Sequence, residues 1–215
     1  MEEVLQQERY SCQEVYATES WVPPTDNNAE ITWVTEKELG RLSQLTTPNQ
    51  VLAVVDIAET SAELPPEMNE GWSMFLDGIQ SPANLGALLR IADWFGFQHV
   101  IGGPGTADLY NAKSIQASMG SFLRIDYREG ELQDITDTFP DLVTFGADLQ
   151  GESIYGLAPP EKGVLVIGAE GPGLSAGARS QVQRWVTIPR APGRRAESLN
   201  AAVAAGILAG ALSNR

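Results

Sequence analysis

Short apolar runs alternate with helical stretches from about residue 72 onward, and this alternation constrains the fold more than any other feature of the sequence. The pattern predicts an α/β fold, with a mostly parallel sheet that carries helices on both of its faces. Predicted strands lie at 74–76, 99–102, 122–125, 142–147, 163–167 and 185–188, and predicted helices at 84–95, 115–119, 132–139 and 198–212. Residues 148–162 are predicted to form a loop.

The first 62 residues predict a separate and smaller α/β unit. Strand patterns occur there at 11–16, 31–34 and 51–57, with a polar helix at 36–42. Residues 59–71 contain two adjacent prolines and four glutamates, a composition that packs poorly and is typical of a linker. We therefore expect a small domain at 1–62, a linker at 63–72 and a main domain at 73–215.

The charge of the chain is unevenly distributed. Residues 1–71 carry 14 acidic and 3 basic side chains, whereas residues 72–215 carry 14 acidic and 11 basic ones. Between residues 179 and 195 there are five arginines and no acidic residue. A nucleic acid responds to such a local cationic patch even when the formal net charge of the protein is -14. A solvated arginine-rich surface is the alternative interpretation.

The sequence indicates neither a membrane anchor nor a metal site. The longest apolar runs are far too short to cross a bilayer, and Met1 is followed by two glutamates instead of a basic signal region. Cys12 is the only cysteine, which excludes an internal disulfide and leaves a thiol-based zinc site without ligands. We therefore expect a cytoplasmic protein that needs no metal and no membrane.

Three polar or glycine-rich segments follow predicted strands, at the positions where open α/β sheets bind ligands. The first, at 76–86, runs into a helix that carries Asn84 near its start and Arg90 two turns in. The second, at 166–175, places a single carboxylate, Glu170, among three glycines, and it matches neither common glycine-rich phosphate loop. Each also has a purely structural interpretation, helix capping for the first and a tight glycine turn for the second.

The third segment joins residues 186–190 to Ser198 and Asn200, at the start of the last predicted helix. Ser198 is a suitable N-cap, and capping alone explains it. Asn200 needs a hydrogen-bond partner, because the helix that it opens is otherwise almost entirely apolar. That helix is predicted to be buried nearly all round, against its own sheet or against a second subunit.

In this order, the three segments resemble the motifs of the SpoU/TrmH family of RNA 2′-O-methyltransferases, within the SPOUT superfamily, over about residues 73–213. The resemblance implies a deep C-terminal trefoil knot and a bent S-adenosylmethionine held among the knot loops. It also implies a homodimer in which Arg90 or Asn84 of one subunit lies near the cofactor of the other. The front of the chain resembles, more loosely, a shortened L30e-like substrate-binding domain.

The resemblance also implies roles for individual residues. Those it places in the catalytic machinery are Asn84, Arg90, Glu170, Ser198 and Asn200. Those it places around S-adenosylmethionine are Ala147, Asp148, Gly168, Glu170, Gly173, Ile188 and Leu199. Contacts with RNA are expected from Arg90 and, in the cationic patch, from Arg190, Arg194 and Arg195. Since arginine is ordinarily always protonated, Arg90 is expected to anchor phosphate or stabilise the transition state in preference to acting as a base.

The expected reaction is transfer of a methyl group from S-adenosylmethionine to a ribose 2′-hydroxyl of ribosomal or transfer RNA. Two alternatives stay open. One is a catalytically silent RNA-binding or assembly protein with the same fold, and the other is a SPOUT methyltransferase that acts on a base. The combination of Asn84, Arg90 and the Ser198 to Asn200 segment is similar to that of the ribose methyltransferases. This similarity favours methylation of a ribose over methylation of a base.

Overall fold

A computed structural model describes residues 2–5, 10–24, 29–45, 47–57 and 63–213 of the chain. The chain divides into two compact units, Met1–Ser61 and Ala62–Arg215. The elements of the first unit are α1 (Glu2–Leu5), β1 (Ser11–Ala17), β2 (Ile31–Trp33), α2 (Glu36–Leu42) and β3 (Val51–Asp56). They form a three-stranded sheet of order β2-β1-β3, in which β1 is parallel to β2 and antiparallel to β3. The strands and helix predicted in this region are found to within one residue at each end.

The second unit contains a six-stranded sheet in which every pairing is parallel. Its strands are β4 (Trp72–Asp77), β5 (His99–Gly102), β6 (Asp126–Glu129), β7 (Thr144–Ser153), β8 (Gly163–Gly168) and β9 (Arg184–Thr187). Its α-helices are α3 (Pro82–Phe95), α4 (Ala112–Ser118), α5 (Leu132–Thr138), α6 (Ala176–Gln181) and α7 (Ala201–Leu212). The strand order is β6-β5-β4-β8-β7-β9. The predicted fold class is confirmed.

Helices cover both faces of this sheet. Successive residues of a strand point to opposite faces, so Met74 and Leu76 belong to one hydrophobic core and Phe75 to the other. The first core includes Leu88 and Leu89 of α3 and Ala205, Leu208 and Ala209 of α7. The second includes Leu132 and Ile135 of α5 and Ala178 of α6. All six residues of β4 are buried, as expected for a central strand of a parallel sheet.

Helices α3 and α4 approach each other closely at Gly86. A Cβ atom at this position would lie 2.5 Å from the carbonyl oxygen of Ser114 and 2.6 Å from Cβ of Ala117. Only glycine fits here, because the neighbouring atoms include backbone that has no room to move.

The Gly86→Ala variant is therefore expected to destabilise the second unit by about 1–3 kcal/mol, since the added methyl forces the two helices apart. Chemical denaturation followed by circular dichroism measures the loss. The matched control is Gly71→Ala, where an added Cβ meets no atom within 4 Å. An unchanged denaturation midpoint for Gly86→Ala would contradict the close packing.

Two parts of the sheet differ from the predicted elements. Residues 122–125 were expected to form a strand, but Ser121–Leu123 is a 3-10 helix and β6 begins at Asp126. The helix is held at its start by Ser121, whose hydroxyl donates to the carboxylate of Asp93 on α3 at 2.8 Å. The predicted loop at 148–162 is also partly wrong, because β7 continues through a bulge to Ser153 and pairs again with β9 there.

The start of the second unit also differs from expectation. Within the predicted linker at 63–72, Pro66–Glu70 forms a 3-10 helix whose Met68 is buried. Within the single chain α7 leaves Val203 53% exposed, so burial of this helix nearly all round requires a second subunit and stays a prediction. Among the described residues, no helix has both the length and the apolar character needed to cross a membrane.

Candidate functional site

The first two motif segments meet because β4 and β8 are neighbours that run parallel. Asp77, the last residue of β4, is paired in register with Gly168, the last residue of β8. The segments that leave these two strands therefore start side by side at the carboxyl edge of the sheet, where open α/β proteins bind their ligands. The third segment, at the start of α7, reaches the same place.

Asn84, Glu170 and Asn200 form one hydrogen-bonded cluster, called the amide–carboxylate cluster below. The side-chain amide of Asn84 donates to Oε1 of Glu170 at 2.9 Å. The amide of Asn200 donates to the same oxygen and also to Oδ1 of Asn84, at 3.1 Å. The backbone N–H of Ala201 adds a third donor to Oε1 of Glu170, at 3.3 Å. Asn84 and the start of α7, which are far apart in sequence, are thus tied to one carboxylate oxygen of Glu170.

Asn200 also caps helix α7. Its Oδ1 accepts hydrogen bonds from the backbone N–H groups of Ala202 at 3.0 Å and Val203 at 3.2 Å. The prediction that Ser198 is the N-cap is therefore wrong, because Asn200 is the N-cap and the helix begins at Ala201, three residues after its predicted start. Ser198 lies in the exposed segment before the helix and is not part of the cluster.

Asp77 is a site residue that the sequence reasoning did not single out. Its buried carboxylate accepts from the backbone N–H of Ser175 at 2.5 Å and from the Ser175 hydroxyl at 3.2 Å. Ser175 in turn caps α6. The available signal was an acidic residue at the end of a mostly apolar strand, but its partner is 98 residues away in the chain.

The turn that carries Glu170 is compact and depends on its glycines. The backbone N–H of Gly173 donates to the carbonyl of Ala169 at 3.0 Å, and Gly173 has a φ of 71°. A Cβ at Gly168 would lie 2.5 Å from the backbone carbon of Gly173. The turn therefore closes directly onto the end of β8, which holds Glu170 in place above the strand.

Arg90 lies on α3 but outside the amide–carboxylate cluster. It is six residues after Asn84, so an α-helix turns its side chain well away from the face that carries Asn84. Arg90 is exposed and has no hydrogen bond or ion pair within the described part of the chain. Trp94, one turn further along the same face, is 83% exposed. The structure thus presents a free guanidinium beside an uncovered indole.

The residues predicted to surround S-adenosylmethionine are distributed over β7, the end of β8 and the turn after it, the end of β9 and the segment before α7. Ala147 is half-buried in β7, at the bulge, and Asp148 follows it and accepts a hydrogen bond from Nη1 of Arg179 at 3.2 Å. Ile188 directly follows β9 and is half-buried, whereas Leu199 is 48% exposed. These apolar side chains suit an adenine ring, and the open backbone between them offers hydrogen-bonding groups, so their chemistry fits the expected cofactor.

The cationic patch is partly neutralised. Arg179 pairs with Asp148, and Nη2 of Arg184 pairs with Glu152 at 2.5 Å. Arg190 donates to the carbonyl of Ala196 at 2.8 Å and stays exposed, as do two further arginines, Arg194 and Arg195. Of the five arginines, these three keep their charge available to an anion.

A Ser–His–Asp row crosses the sheet away from this site, near the amino ends of three strands. Ser73, His99 and Asp126 are paired in register, and Nδ1 of His99 lies 3.2 Å from Asp126. Ser73 is fully buried, so the row offers no nucleophile to an external substrate. Burial by itself raises the pKa of the Asp126 carboxyl, but hydrogen bonds from His99 and Arg128 outweigh burial and hold that pKa below its usual value. The row is structural.

No group of three or more His, Cys, Asp or Glu side chains that could hold a metal ion occurs in the described ranges.

The sequence model of the SpoU rRNA Methylase family matches residues 72–210. The 23S rRNA (guanosine(2553)-2'-O)-methyltransferase RlmP of Bacillus subtilis is 30% identical over 178 residues, which cover 81% of this chain and 69% of that protein. A 23S rRNA (uridine(2479)-2'-O)-methyltransferase of Streptomyces viridochromogenes is 31% identical over 177 residues, covering 78% of this chain but only 60% of that protein.

Two solved structures share the fold over nearly all of this chain. A protein from Porphyromonas gingivalis assigned to the TrmH family of RNA methyltransferases superposes with a TM-score of 0.80 at 36% identity, covering 98% of this chain and 85% of that one. The SpoU methyltransferase AviRb from Streptomyces viridochromogenes, in complex with AdoMet, gives a TM-score of 0.81 at 23% identity, covering 95% of this chain and 83% of that one. The second match shows the fold alone.

Proposed function

The chain belongs to the SpoU rRNA methylase family, and from this premise we propose that it transfers a methyl group from S-adenosylmethionine to a ribose 2′-hydroxyl of ribosomal RNA, in the cytoplasm. The membership confirms the family and the class of enzyme that the sequence predicted. The observation that carries the more specific proposal is the amide–carboxylate cluster, which joins Asn84, Glu170 and Asn200 at the carboxyl edge of the sheet.

Glu170 is suited to orient the hydroxyl that is methylated. Its Oε1 is held by three donors, whereas Oε2 has no hydrogen bond with the described residues. Glu170 is exposed, so Oε2 can accept a hydrogen bond from an incoming 2′-hydroxyl. Asn84 and Asn200 keep the carboxylate from turning away, and this fixed geometry lowers the entropic part of the barrier.

S-adenosylmethionine, when bound, supplies an electrophilic methyl group. We place its adenine against Ile188 and Leu199, with Ala147, Asp148, Gly168, Glu170 and Gly173 at the border of the same site. The carboxylate of Asp77 holds Ser175 through two hydrogen bonds, and Ser175 lies at the end of the turn that carries Glu170. Asp77 is therefore proposed to position this turn.

The Asp77→Asn variant is expected to bind S-adenosylmethionine about tenfold more weakly. The backbone N–H and the hydroxyl of Ser175 each donate to one oxygen of Asp77. In the variant an NH₂ group replaces one of these oxygens, so one hydrogen bond to Ser175 is lost and the turn is held less firmly. Isothermal titration calorimetry measures the dissociation constant. Asp141→Asn, a change of an exposed carboxylate outside the site, is the control. Equal dissociation constants for Asp77→Asn and the unsubstituted protein would show that Ser175 is not needed for the cofactor site.

Arg90 is proposed to act in the site of a second subunit of a homodimer. Its helix face points away from the cluster of its own chain and carries the exposed Trp94. Val203 of α7 is also uncovered, and α7 packs against α3, where Gly210 would bring an added Cβ within 3.2 Å of Phe95. A two-fold contact between these helices would cover the apolar surface and carry Arg90 to the partner. There its guanidinium would anchor the phosphate next to the reacting ribose.

Arg190, Arg194 and Arg195 are proposed to hold the RNA backbone near the site. All three are exposed and none is paired with a carboxylate within the described residues.

The trefoil knot, the roles of the individual site residues, and the predicted boundaries at 62 and 72 stay predictions.

The proposed reaction is tested by incubating the purified protein with 23S rRNA and S-adenosylmethionine labelled in its methyl group. The expected result is a labelled nucleotide whose 3′ phosphodiester resists alkali, since a 2′-O-methyl group removes the attacking hydroxyl. Label released as a methylated base would identify a base methyltransferase. An absence of both transfer and cofactor binding would identify a silent protein.

A further inference from the structure

A second feature at the same edge of the sheet is a cavity of about 270 Å³ beyond the carboxyl ends of β5 and β6. One side is formed by the backbone of residues 102–106, and the other by Tyr127, Glu129 and Asp134. Its volume is a little below the roughly 300–1,000 Å³ that drug-sized ligands occupy, which suits a group the size of one nucleobase. None of the residues assigned to the methyl donor lines it.

Tyr127 points to a ligand because its hydroxyl is left without a partner. The residue is only 5% exposed, yet its hydroxyl makes no hydrogen bond within the described part of the chain. The hydroxyl lies directly over Gly102, where an added Cβ would overlap it at 2.1 Å. Burial and the nearby carboxylates of Glu129 and Asp108 raise the pKa of Tyr127, so the hydroxyl stays a donor at neutral pH. Although the side chain is buried, Tyr127 lines the cavity, so its unpartnered hydroxyl is available to a group bound there.

Glu129 supplies the matching acceptor. Its carboxylate is exposed at the cavity and has no hydrogen bond or ion pair with the described residues. Glu131 and Asp134, in contrast, already bind each other's backbone N–H groups at the start of α5. Of the described residues that line the cavity, none is basic. Such a cavity repels phosphate and favours an uncharged group that is rich in N–H donors.

The cavity lies next to the turn that carries Glu170. Gly78 sits between them, since a Cβ added there would lie 3.8 Å from the carbonyl oxygen of Pro104 and 3.9 Å from Cβ of Ala169. A smaller cavity of about 220 Å³ shares Pro104 with the first and extends to Asp77 and Ser175. A group held in the larger cavity is therefore a close neighbour of the proposed reaction site.

We propose that this cavity binds the base of the nucleotide that is methylated, and that it selects guanine. The inference rests on the proposed function and names the substrate for the same site. Guanine presents two adjacent donors, N1–H and N2–H, to the two oxygens of Glu129, and next to them the acceptor O6 to the hydroxyl of Tyr127. Adenine, cytosine and uracil each present an acceptor where one of these donors is needed, and a carboxylate repels it.

Binding of free nucleosides tests the cavity directly. Saturation-transfer NMR titrations with guanosine are expected to show binding that is at least about tenfold tighter than with inosine, which lacks the 2-amino group, or with adenosine or uridine. Glu129→Gln is expected to weaken guanosine binding about tenfold and Tyr127→Phe several-fold. Glu161→Gln, the same change at an exposed residue outside the cavity, is expected to leave it unchanged.

A second measurement separates this inference from the proposed function. The methylated nucleotide of the RNA is mapped, and transcripts with each of the four bases at that position are compared. We expect the unsubstituted protein to prefer guanosine and Glu129→Gln to lose that preference while still binding S-adenosylmethionine. Equal binding of all nucleosides, a mapped nucleotide other than guanosine, or an unchanged preference in Glu129→Gln would overturn the cavity assignment. Only a failure to methylate any RNA would count against the proposed function.

Discussion

The Arg90→Ala variant is expected to lose RNA methylation by about 10²–10³-fold while binding S-adenosylmethionine as tightly as the unsubstituted protein. Arg90 has no partner in the described part of its own chain and lies outside the amide–carboxylate cluster, so its removal leaves the cluster and the cofactor segments intact. What is lost is the charge that anchors the phosphate and stabilises the transition state. Single-turnover rates with saturating RNA, together with calorimetry of the cofactor, separate the two effects.

A mixing experiment then tests whether Arg90 acts across a dimer. Arg90→Ala and Glu170→Ala are each expected to be nearly inactive, but a dimer of one of each contains one site with an intact cluster and an intact Arg90. Random exchange of subunits is expected to restore about a quarter of the original activity, because half of the dimers are mixed and each of these has one complete site. No recovery after verified exchange would place Arg90 in the site of its own chain.

A graded variant separates charge from geometry. Arg90→Lys keeps the charge but lacks the planar fork that binds two phosphate oxygens at once, so activity is expected between those of Arg90→Ala and the original protein. Activity of Arg90→Ala equal to that of the original protein would refute the role of Arg90 in either arrangement.

The parts of the fold that local sequence patterns determine were predictable. The apolar run at 74–76 and the alternation of strands with helices indicated a parallel sheet, and α2 and β5 were placed at their observed bounds. The strand expected at 122–125 was misplaced, because Phe122 and Leu123 pack as a short helix beside α3, held by a contact between Ser121 and Asp93 that local sequence does not reveal.

The site was predictable only where the resemblance supplied it. Asn84, Glu170 and Asn200 are brought together by parallel pairing of β4 with β8 and by the position of α7. Asp77 and Ser175 meet in the same way, but neither stands out until the two strand ends are adjacent. The cavity at Tyr127 and Glu129 was missed for a related reason, since an unpartnered hydroxyl at a cavity wall becomes visible only when the surrounding residues are in place.

The Glu170→Ala variant is expected to lower the rate of methyl transfer about 100-fold. Oε1 of Glu170 accepts from Asn84, Asn200 and the backbone of Ala201, and the substitution leaves all three donors without their common acceptor. Glu170 is exposed, so water replaces the lost bonds and the fold tolerates the change. The cost falls on geometry, because water does not hold the two amides and the incoming hydroxyl in one arrangement. Single-turnover kinetics with saturating cofactor and RNA measure this loss.

Glu170→Gln distinguishes the two functions of this carboxylate. An amide can still accept from Asn84 and Asn200 through its oxygen, but its NH₂ group stands where Oε2 would accept the ribose hydroxyl. If Glu170 only organises the cluster, Glu170→Gln recovers most of the activity that Glu170→Ala loses. If Oε2 takes part in the reaction, as proposed, Glu170→Gln stays close to Glu170→Ala in rate while its thermal stability matches that of the original protein. Recovery of the rate would restrict Glu170 to a positioning role, and the proton of the hydroxyl would then have to leave by another group.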